Sequence, residues 1–213
     1  MPQSDLTPQS DLMPQKDLTP QNDLTPQIVL ASTSPRRREL LGLPFEVIGS
    51  GYDEEQVDPS ALAPPDYVTR LAAGKAAEVA GGFGQEALVI GADTTVVLDG
   101  AYLNKPKDAD DARRMLRTLS GRTHEVYTGL CLRRGTRIQT DFAVTEVTFD
   151  TLTDSIIDAY VATGEPLDKA GAYGIQGKAL SFIPGIRGDY FNVVGLPLFL
   201  LSRMLTEFSI SLW

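Results

Sequence analysis

Three consecutive arginines follow a Ser-Pro pair in ASTSPRRREL, residues 31 to 40, although the formal net charge of the chain is −9. Ser34 suits the N-cap of a helix, which places Arg36, Arg37 and Arg38 in its first turn. Because that end of a helix dipole is positive, each arginine is unfavourable there by roughly 0.3–1 kcal/mol unless an anion neutralises it. The run is therefore either part of a phosphate pocket or a solvated surface segment.

An acidic residue interrupts the most apolar strand pattern of the chain, ALVIGADTTVVLDG. Asp93 comes directly after the hydrophobic residues, and Gly91 leaves room for the close approach of another backbone or of a ligand. A carboxylate in that place can hold a divalent cation, orient a water molecule or act as a general base. Asp is also a common strand-end turn residue, so a structural role is the alternative.

Three lysines and several carboxylates join the arginines and Asp93 as residues that could bind a charged ligand. Lys75 lies on a predicted helical face, Lys105 follows a strand in LNKP, and Lys169 lies in PLDKAG; each alone is typical of a solvated surface. Together with the arginines they suit a phosphorylated substrate that is also neutralised by Mg²⁺ or Mn²⁺. The carboxylates available to such a cation are Asp53, Glu54, Glu55, Asp93 and Asp168.

A glycine-rich loop, DKAGAYGIQG, adds a candidate for base recognition. Its glycines allow the backbone to lie against a flat ligand, and Gln176 offers both a donor and an acceptor, as a pyrimidine edge requires. This motif is weak by itself. Neither GxxxxGK[ST] nor GxGxxG follows a strand in the sequence, which disfavours the common phosphate-loop and dinucleotide-binding folds.

Composition excludes several other functions. The 19 Lys and Arg against 28 Asp and Glu provide no broad basic field for nucleic acid or anionic lipid. A single histidine, His124, and a single cysteine, Cys131, rule out a His-rich metal site and an intramolecular disulfide, and both are predicted to be structural. Because no apolar run or signal-like start is present, we expect a cytoplasmic protein without a membrane anchor.

The first 30 residues form a hexapeptide repeat, MPQSDL, TPQSDL, MPQKDL, TPQNDL, TPQIVL. A proline in every unit prevents a continuous helix, and one leucine per unit offers little apolar surface, so residues 1–26 are predicted to be a flexible extension. Alternatively, the repeat packs against a neighbour or serves as a linear interaction motif. This segment carries four Asp and one Lys, which leaves a net charge of −6 for the predicted domain, residues 27–213.

Strand and helix patterns alternate through that domain. The predicted strands are QIVLAST, PFEVIGSGY, ALVIGADTTVVLDG, AYLN after an Asp99-Gly100 turn, HEVYTGLCLRR, the stretch 137–149 and a segment near ALSFIPGI. The predicted helices are SPRRRELLGL with Pro35 at its first position, DYVTRLAAGKAAEVA, DADDARRMLRTLSG, DSIIDAYVAT capped by Thr153, and one after Pro197. This alternation predicts an α/β fold with a mixed sheet.

Five motifs, in order, closely resemble the Maf family of nucleoside triphosphate pyrophosphatases: LASTSPRRRELL, GADTTVVLDG, LNKPKDADDARRMLRTLSGRTHEVYTG, EPLDKAGAYGIQG and GDYFNVVGLPL. The resemblance implies a mixed α/β fold with a central sheet and two lobes around a cleft, similar to the inosine triphosphate pyrophosphatases, often as a homodimer. It also implies metal-dependent hydrolysis of a nucleoside triphosphate to the monophosphate and pyrophosphate.

The resemblance assigns roles residue by residue. Asp93 matches the catalytic proton acceptor, which either activates the attacking water or binds the metal. Glu55 matches a metal-side carboxylate, although DEEQ offers neighbours in adjacent registers. The remaining matches are on the phosphate side: Ser34, Arg37, Lys75 and Lys105.

Three positions separate branches of this family by substrate. Arg36, Thr94 and Gln176 agree with the branch that resembles dTTP and UTP pyrophosphatases, whereas the 7-methyl-GTP branch tends to carry Trp, Gln and Glu. The resemblance thus implies hydrolysis of dTTP and UTP. The alternatives are a house-cleaning pyrophosphatase for other non-standard nucleotides and a nucleotide-binding regulator of septum formation that binds without turnover.

Overall fold

Residues 26–212 are described by a computed structural model. The predicted flexible extension, residues 1–26, lies outside the described residues apart from Pro26. The strands are β1 Ile28–Ala31, β2 Glu46–Val47, β3 Leu88–Leu98, β4 Ala101–Leu103, β5 Thr123–Arg134, β6 Arg137–Thr148 and β7 Gly185–Arg187. The α-helices are α1 Pro35–Leu40, α2 Pro64–Ala80, α3 Ala109–Leu119, α4 Asp154–Val161, α5 Tyr190–Val194 and α6 Leu198–Glu207.

These seven strands form one mixed sheet in the order β2-β1-β3-β5-β6-β7, with β4 paired to β3. β1 runs parallel to β2 and β3, and every other pair is antiparallel. The predicted Asp99-Gly100 turn joins β3 to β4, and both residues have positive φ, as a two-residue hairpin of this twist requires. The predicted mixed α/β fold is confirmed.

β3 lies within the predicted strand segment ALVIGADTTVVLDG. Asp93 does not have the strand-end position that was the structural alternative, because the strand continues to Leu98 and Asp93 lies in its middle. Leu88 and Ile90 pack in an apolar cluster with α6, whereas Val96 packs in a second cluster with α3 and α4. Asp93 therefore lies between the cores of the two lobes.

Two glycines bring α2 against the middle of the sheet. A Cβ on Gly91 would lie 2.2 Å from the Ala72 carbonyl oxygen, and one on Gly129 would lie 2.4 Å from the Val68 carbonyl carbon. Gly129 is paired with Asp93 across β3 and β5. Because side chains are missing at both points, the α2 backbone approaches closely enough for Lys75 to reach Asp93.

The last third of the domain is less regular than predicted. The segment ALSFIPGI, predicted as a strand, forms a 3-10 helix, Lys178–Phe182, followed by the short β7. Two further 3-10 turns, Glu165–Asp168 and Ala170–Ala172, lie just before and within the glycine-rich loop. α4 begins as predicted, with the Thr153 hydroxyl accepting a hydrogen bond from the Ile156 amide at 3.3 Å.

His124 and Cys131 are both buried. The His124 Nε2 lies 2.8 Å from the Tyr173 hydroxyl, and burial lowers the pKa of the imidazole to about 4. Burial likewise raises the pKa of the Cys131 thiol to about 11, which makes it a poor nucleophile. Both side chains thus belong to the interior. Across residues 26–212, every helix is too short or too polar to span a bilayer.

Candidate active site

A cleft of about 470 Å³ opens between the two lobes, beside the middle of β3. A volume of this size suits a small-molecule ligand. The structure brings together almost all of the site residues predicted from the sequence. Those that line the cleft are Ser34, Arg36, Arg37, Lys75, Asp93, Thr94, Lys105, Lys169 and Gln176.

Glu55 is the predicted site residue that the cleft does not include. A 3-10 turn, Glu54–Gln56, is capped by Asp53, whose Oδ1 accepts a hydrogen bond from the Glu55 amide at 3.0 Å. This turn directs Glu54 into the cleft, while Glu55 lines a neighbouring depression with Asp58. The carboxylate that lines the cleft is therefore Glu54, one residue before Glu55.

The cleft is electropositive although the chain is acidic. Five basic side chains line it against three acidic ones, so its formal charge is positive by two, whereas the whole chain carries −9. Asp168 pairs with Lys169 at 2.6 Å and with Arg36 at 3.7 Å. Lys105 forms no ion pair within residues 26–212 and remains available to a ligand. Such local positive charge attracts a polyanion.

Lys75 bridges two carboxylates at the centre of the cleft. Its Nζ lies 2.6 Å from Asp93 Oδ1 and 2.7 Å from Glu54 Oε1. Asp93 is only 7% exposed, and this burial raises its pKa even though Lys75 and Arg37 oppose the shift. Desolvation also acts to raise the pKa of Glu54, but there Lys75 prevails and the pKa is lowered. The two carboxylates are thus electrostatically unequal.

Arg37 is held by the protein from four directions. Its Nε donates to the Gly195 carbonyl at 2.7 Å, and its Nη1 donates to the Ala92 carbonyl at 2.9 Å and to Ser32 Oγ at 3.2 Å. Its Nη2 donates to Thr94 Oγ1 at 3.0 Å. Burial lowers the pKa of this guanidinium. One of its five N–H groups remains for a ligand, so Arg37 holds β1, β3 and the end of α5 together as well as lining the cleft.

Thr94 belongs to a chain of hydrogen-bonded hydroxyl groups. Its Oγ1 accepts from Arg37 and lies 2.9 Å from Thr128 Oγ1, which in turn donates to the Asn192 carbonyl at 2.9 Å. Because Thr128 uses its proton on that carbonyl, Thr94 must donate its own to Thr128. The Thr94 hydroxyl therefore has its proton directed away from the cleft and retains only an acceptor lone pair.

The N-terminus of α1, which was predicted to face the phosphates, lacks the expected side-chain cap. Ser34 occupies the N-cap position, but its side chain makes no capping hydrogen bond, and its amide donates instead to Ser32 Oγ at 3.2 Å. Arg38 is exposed and lies outside the cleft lining. Of the three arginines, Arg36 and Arg37 line the cleft and Arg38 does not.

Comparison with known proteins agrees with this geometry. The sequence model of the family described as "Maf-like protein" matches residues 27–208. This chain belongs to the Maf-like protein family. It is 51% identical over 183 residues to the dTTP/UTP pyrophosphatase of Bacillus cytotoxicus, covering 84% of this chain and 94% of the relative. It is 52% identical over 191 residues to the dTTP/UTP pyrophosphatase of Moorella thermoacetica, covering 87% and 97%.

Sequence reasoning missed two polar residues of the Maf-like site, Ser32 and Asn104. Ser32 binds Arg37 and the Ser34 amide, while the Asn104 side chain donates to the Tyr67 hydroxyl at 3.1 Å and accepts from Thr95 at 2.7 Å. Ser32 lies in ASTSP and Asn104 in LNKP, beside residues that were singled out for their charge. Neutral hydroxyl and amide groups carry no comparable charge signal in a sequence.

The Maf-like cleft contains donors that fit a divalent metal. Asp93 and Glu54 converge on one point, which the Lys75 ammonium occupies at 2.6 and 2.7 Å, and Mg²⁺ is commonly held by one or two carboxylates together with substrate phosphates. Within the described part of the chain there is no cluster of three or more His, Cys, Asp or Glu that could hold a metal alone. The donor set therefore suits a metal that arrives with, or is completed by, a phosphorylated substrate.

Proposed function

We propose that this Maf-like chain hydrolyses dTTP and UTP to the nucleoside monophosphate and pyrophosphate. The observation that carries the proposal is a cleft that is positive by two on a chain of charge −9 and encloses a buried carboxylate. A nucleoside triphosphate has the charge and the size that such a cleft requires. The names of the relatives, at 51% and 52% identity, support the same substrates.

The proposed reaction is in-line attack by water on the α-phosphorus. Asp93 Oδ1 is engaged by Lys75, and its buried carboxylate, with a raised pKa, is suited to accept a proton from that water. Arg37, Lys75 and Lys105 neutralise the negative charge that develops on the phosphate oxygens. The pyrophosphate then leaves with its charge balanced by the same basic side chains.

Asp93 and Glu54 would hold Mg²⁺ or Mn²⁺ in the cleft. Bound there, the metal would supply charge neutralisation to the triphosphate and to the departing pyrophosphate. Lys75 lies between the two carboxylates and keeps them close together before substrate binds. Asp93 thus serves either as the proton acceptor or as a ligand, and both roles require it to be ionised.

Substrate choice is proposed to depend on Arg36, Thr94 and Gln176. The Gln176 side chain is exposed at the cleft and makes no hydrogen bond within residues 26–212, so both its donor and its acceptor are available to a base. Thr94 presents an acceptor, which suits the N3–H of thymine and uracil better than the unprotonated N3 of cytosine. These polar groups favour a keto pyrimidine.

A panel of nucleoside triphosphates with Mg²⁺ or Mn²⁺ tests the proposal. We expect dTTP and UTP to exceed CTP and the purine triphosphates in kcat/KM by about tenfold or more, with pyrophosphate rather than orthophosphate released. Preference for another nucleotide would favour the house-cleaning alternative. Tight binding without turnover would favour the septum-formation regulator.

We also propose that the protein acts in the cytoplasm as a homodimer, as the resemblance implies. Its one cysteine is buried and unpaired, which suits a reducing compartment. Sedimentation equilibrium at micromolar concentration would measure the assembly, and a mass equal to one chain would contradict the dimer.

A further inference from the structure

One buried and one half-buried side chain, both outside the cleft, fix the loop that carries Gln176. Tyr160, on α4, is 4% exposed, and its hydroxyl donates to Glu165 Oε1 at 2.8 Å and accepts from the Gly174 amide at 3.0 Å. The other carboxylate oxygen, Glu165 Oε2, accepts from the Lys178 amide at 3.1 Å. One side-chain pair therefore holds the backbone on both sides of Gln176. We call this pair the Tyr160–Glu165 clamp.

The loop depends on the clamp because it has few backbone hydrogen bonds of its own. Within residues 173–177 the backbone makes one internal bond, from the Gly177 amide to the Gly174 carbonyl at 3.0 Å, and the Gly177 carbonyl accepts one more from the Leu180 amide at 3.2 Å. Close packing accompanies the clamp: a Cβ on Gly177 would lie 2.0 Å from Glu165 Oε1. The absence of a side chain at Gly177 thus makes room for the carboxylate. Lys169 adds a further contact, since its Nζ donates to the Glu165 carbonyl oxygen at 2.7 Å.

We propose that Tyr160 and Glu165 are positioning residues for the Gln176 loop and thereby set the affinity for the pyrimidine base, an inference that rests on the proposed function. Neither residue lines the cleft, so neither touches the reacting atoms. The clamp acts by ordering the loop before substrate binds, which lowers the entropy lost on binding. Asp93 lies on β3, outside the loop, so the chemical step does not depend on the clamp.

Steady-state kinetics of Tyr160→Phe and Glu165→Ala test this assignment. We expect KM for dTTP and UTP to rise about tenfold while kcat stays within about threefold, because ground-state and transition-state binding of the base are weakened together. Glu165→Gln keeps one acceptor oxygen and is expected to have an intermediate KM. The matched control is Tyr102→Phe, which removes a tyrosine hydroxyl that donates to the Leu62 carbonyl at 2.8 Å outside the cleft.

Amide hydrogen exchange provides a readout that needs no substrate. The Gly174 amide loses its acceptor in Tyr160→Phe, and the Lys178 amide loses its acceptor in Glu165→Ala. We expect exchange of the affected amide to accelerate about tenfold or more while amides in β3 are unchanged. If the wild-type chain hydrolysed neither dTTP nor UTP, the proposed function would fail, whereas exchange would still report on the clamp.

Three outcomes would overturn the proposal: unchanged exchange at both amides, accelerated exchange with unchanged KM, or an equal rise in KM in Tyr102→Phe. If Tyr160→Phe does not fold, Glu165→Gln and Glu165→Ala carry the test, because Glu165 is only half-buried.

Discussion

Lys75 Nζ and Asp93 Oδ1 are 2.6 Å apart, and this ion pair joins α2 to the middle of β3. Without the lysine, a carboxylate that is 7% exposed would have no cationic side chain in direct contact. The same ammonium also reaches Glu54 at 2.7 Å. The pair thus holds the negative charge that the proposed hydrolysis requires at a site where burial alone would favour the neutral acid.

Asp93→Asn should abolish most of the activity without unfolding the protein. Loss of the carboxylate removes the group proposed as proton acceptor or as metal ligand, so we expect kcat for dTTP and UTP to fall by at least about 100-fold. Because burial raises the pKa of Asp93, ionisation of this group costs stability at neutral pH, and the melting temperature should not fall. Asp99→Asn, at the hairpin turn, is the control. Near-normal turnover of Asp93→Asn would refute the assignment.

Glu54 and Glu55 should respond differently to the same substitution. Glu54 lies in the cleft beside Lys75, whereas Glu55 does not line it. We expect Glu54→Gln to raise the Mg²⁺ concentration for half-maximal activity by about tenfold, and Glu55→Gln to change it less than twofold. Removal of metal with EDTA should stop turnover, and added Mg²⁺ or Mn²⁺ should restore it. Equal effects of both substitutions would contradict this distinction.

Substitutions of Arg36, Thr94 and Gln176 should alter the preference among bases more than they reduce hydrolysis. For Gln176→Glu we expect the ratio of kcat/KM for dTTP over CTP to change by about tenfold, because the side chain loses its donor N–H groups. Thr94→Val should also disturb Arg37, since it removes the acceptor of Nη2. The triphosphate panel measures both effects. An equal loss for every nucleotide would show that these residues serve catalysis instead.

Deletion of residues 1–26 should leave catalysis intact. The family match begins at residue 27, and the first strand begins at Ile28. We expect kcat/KM of the shortened chain to stay within about twofold, because every residue that lines the cleft and the whole family match lie after residue 26. The comparison uses dTTP at the same metal concentration for both chains. A large fall in turnover would assign the repeat a role in the active protein.

His124 should make the fold sensitive to mild acid. Its pKa is lowered from 6.5 to about 4 by burial, so the unfolded chain binds a proton that the folded chain does not. The stability that His124 contributes is present above its pKa in the unfolded chain, 6.5, and is lost as the pH falls from there toward its folded pKa of about 4. The loss between pH 7 and pH 5 is about 2 kcal/mol. Urea unfolding at both pH values measures this loss. His124→Gln should reduce it, and an unchanged dependence in that variant would assign it elsewhere.

Periodicity was sufficient for the elements that bury an apolar face. The helix around Lys75, the long strand pair and the Asp99-Gly100 hairpin all follow from local patterns and turn chemistry. The role of Asp93 within β3 did not, because an acidic residue directly after an apolar run is also typical of a strand end. The partner of its charge, Lys75, comes from α2 and is 18 residues away in the sequence.

The site itself required tertiary information in two places. A choice between Glu54 and Glu55 depends on which way a 3-10 turn faces, and no periodic pattern exists over three residues. Arg37 donates hydrogen bonds to Gly195, Ala92, Thr94 and Ser32, three of which are distant in the sequence. The local sequence SPRRR therefore could not predict the structural role of this arginine. Charge and spacing identified which residues meet, but not what each already binds.

The continuity of β3 has a thermodynamic consequence for the two lobes. The strand supplies Leu88 and Ile90 to one apolar cluster and Val96 to the other, with Asp93 between them. If one cluster unfolds, β3 is disrupted and the other cluster loses packing contacts. Heating is therefore expected to unfold both lobes in a single cooperative transition. Hinge motion across this strand would be equally costly, and we therefore expect the Asp93 carboxylate to keep a fixed distance from both apolar clusters.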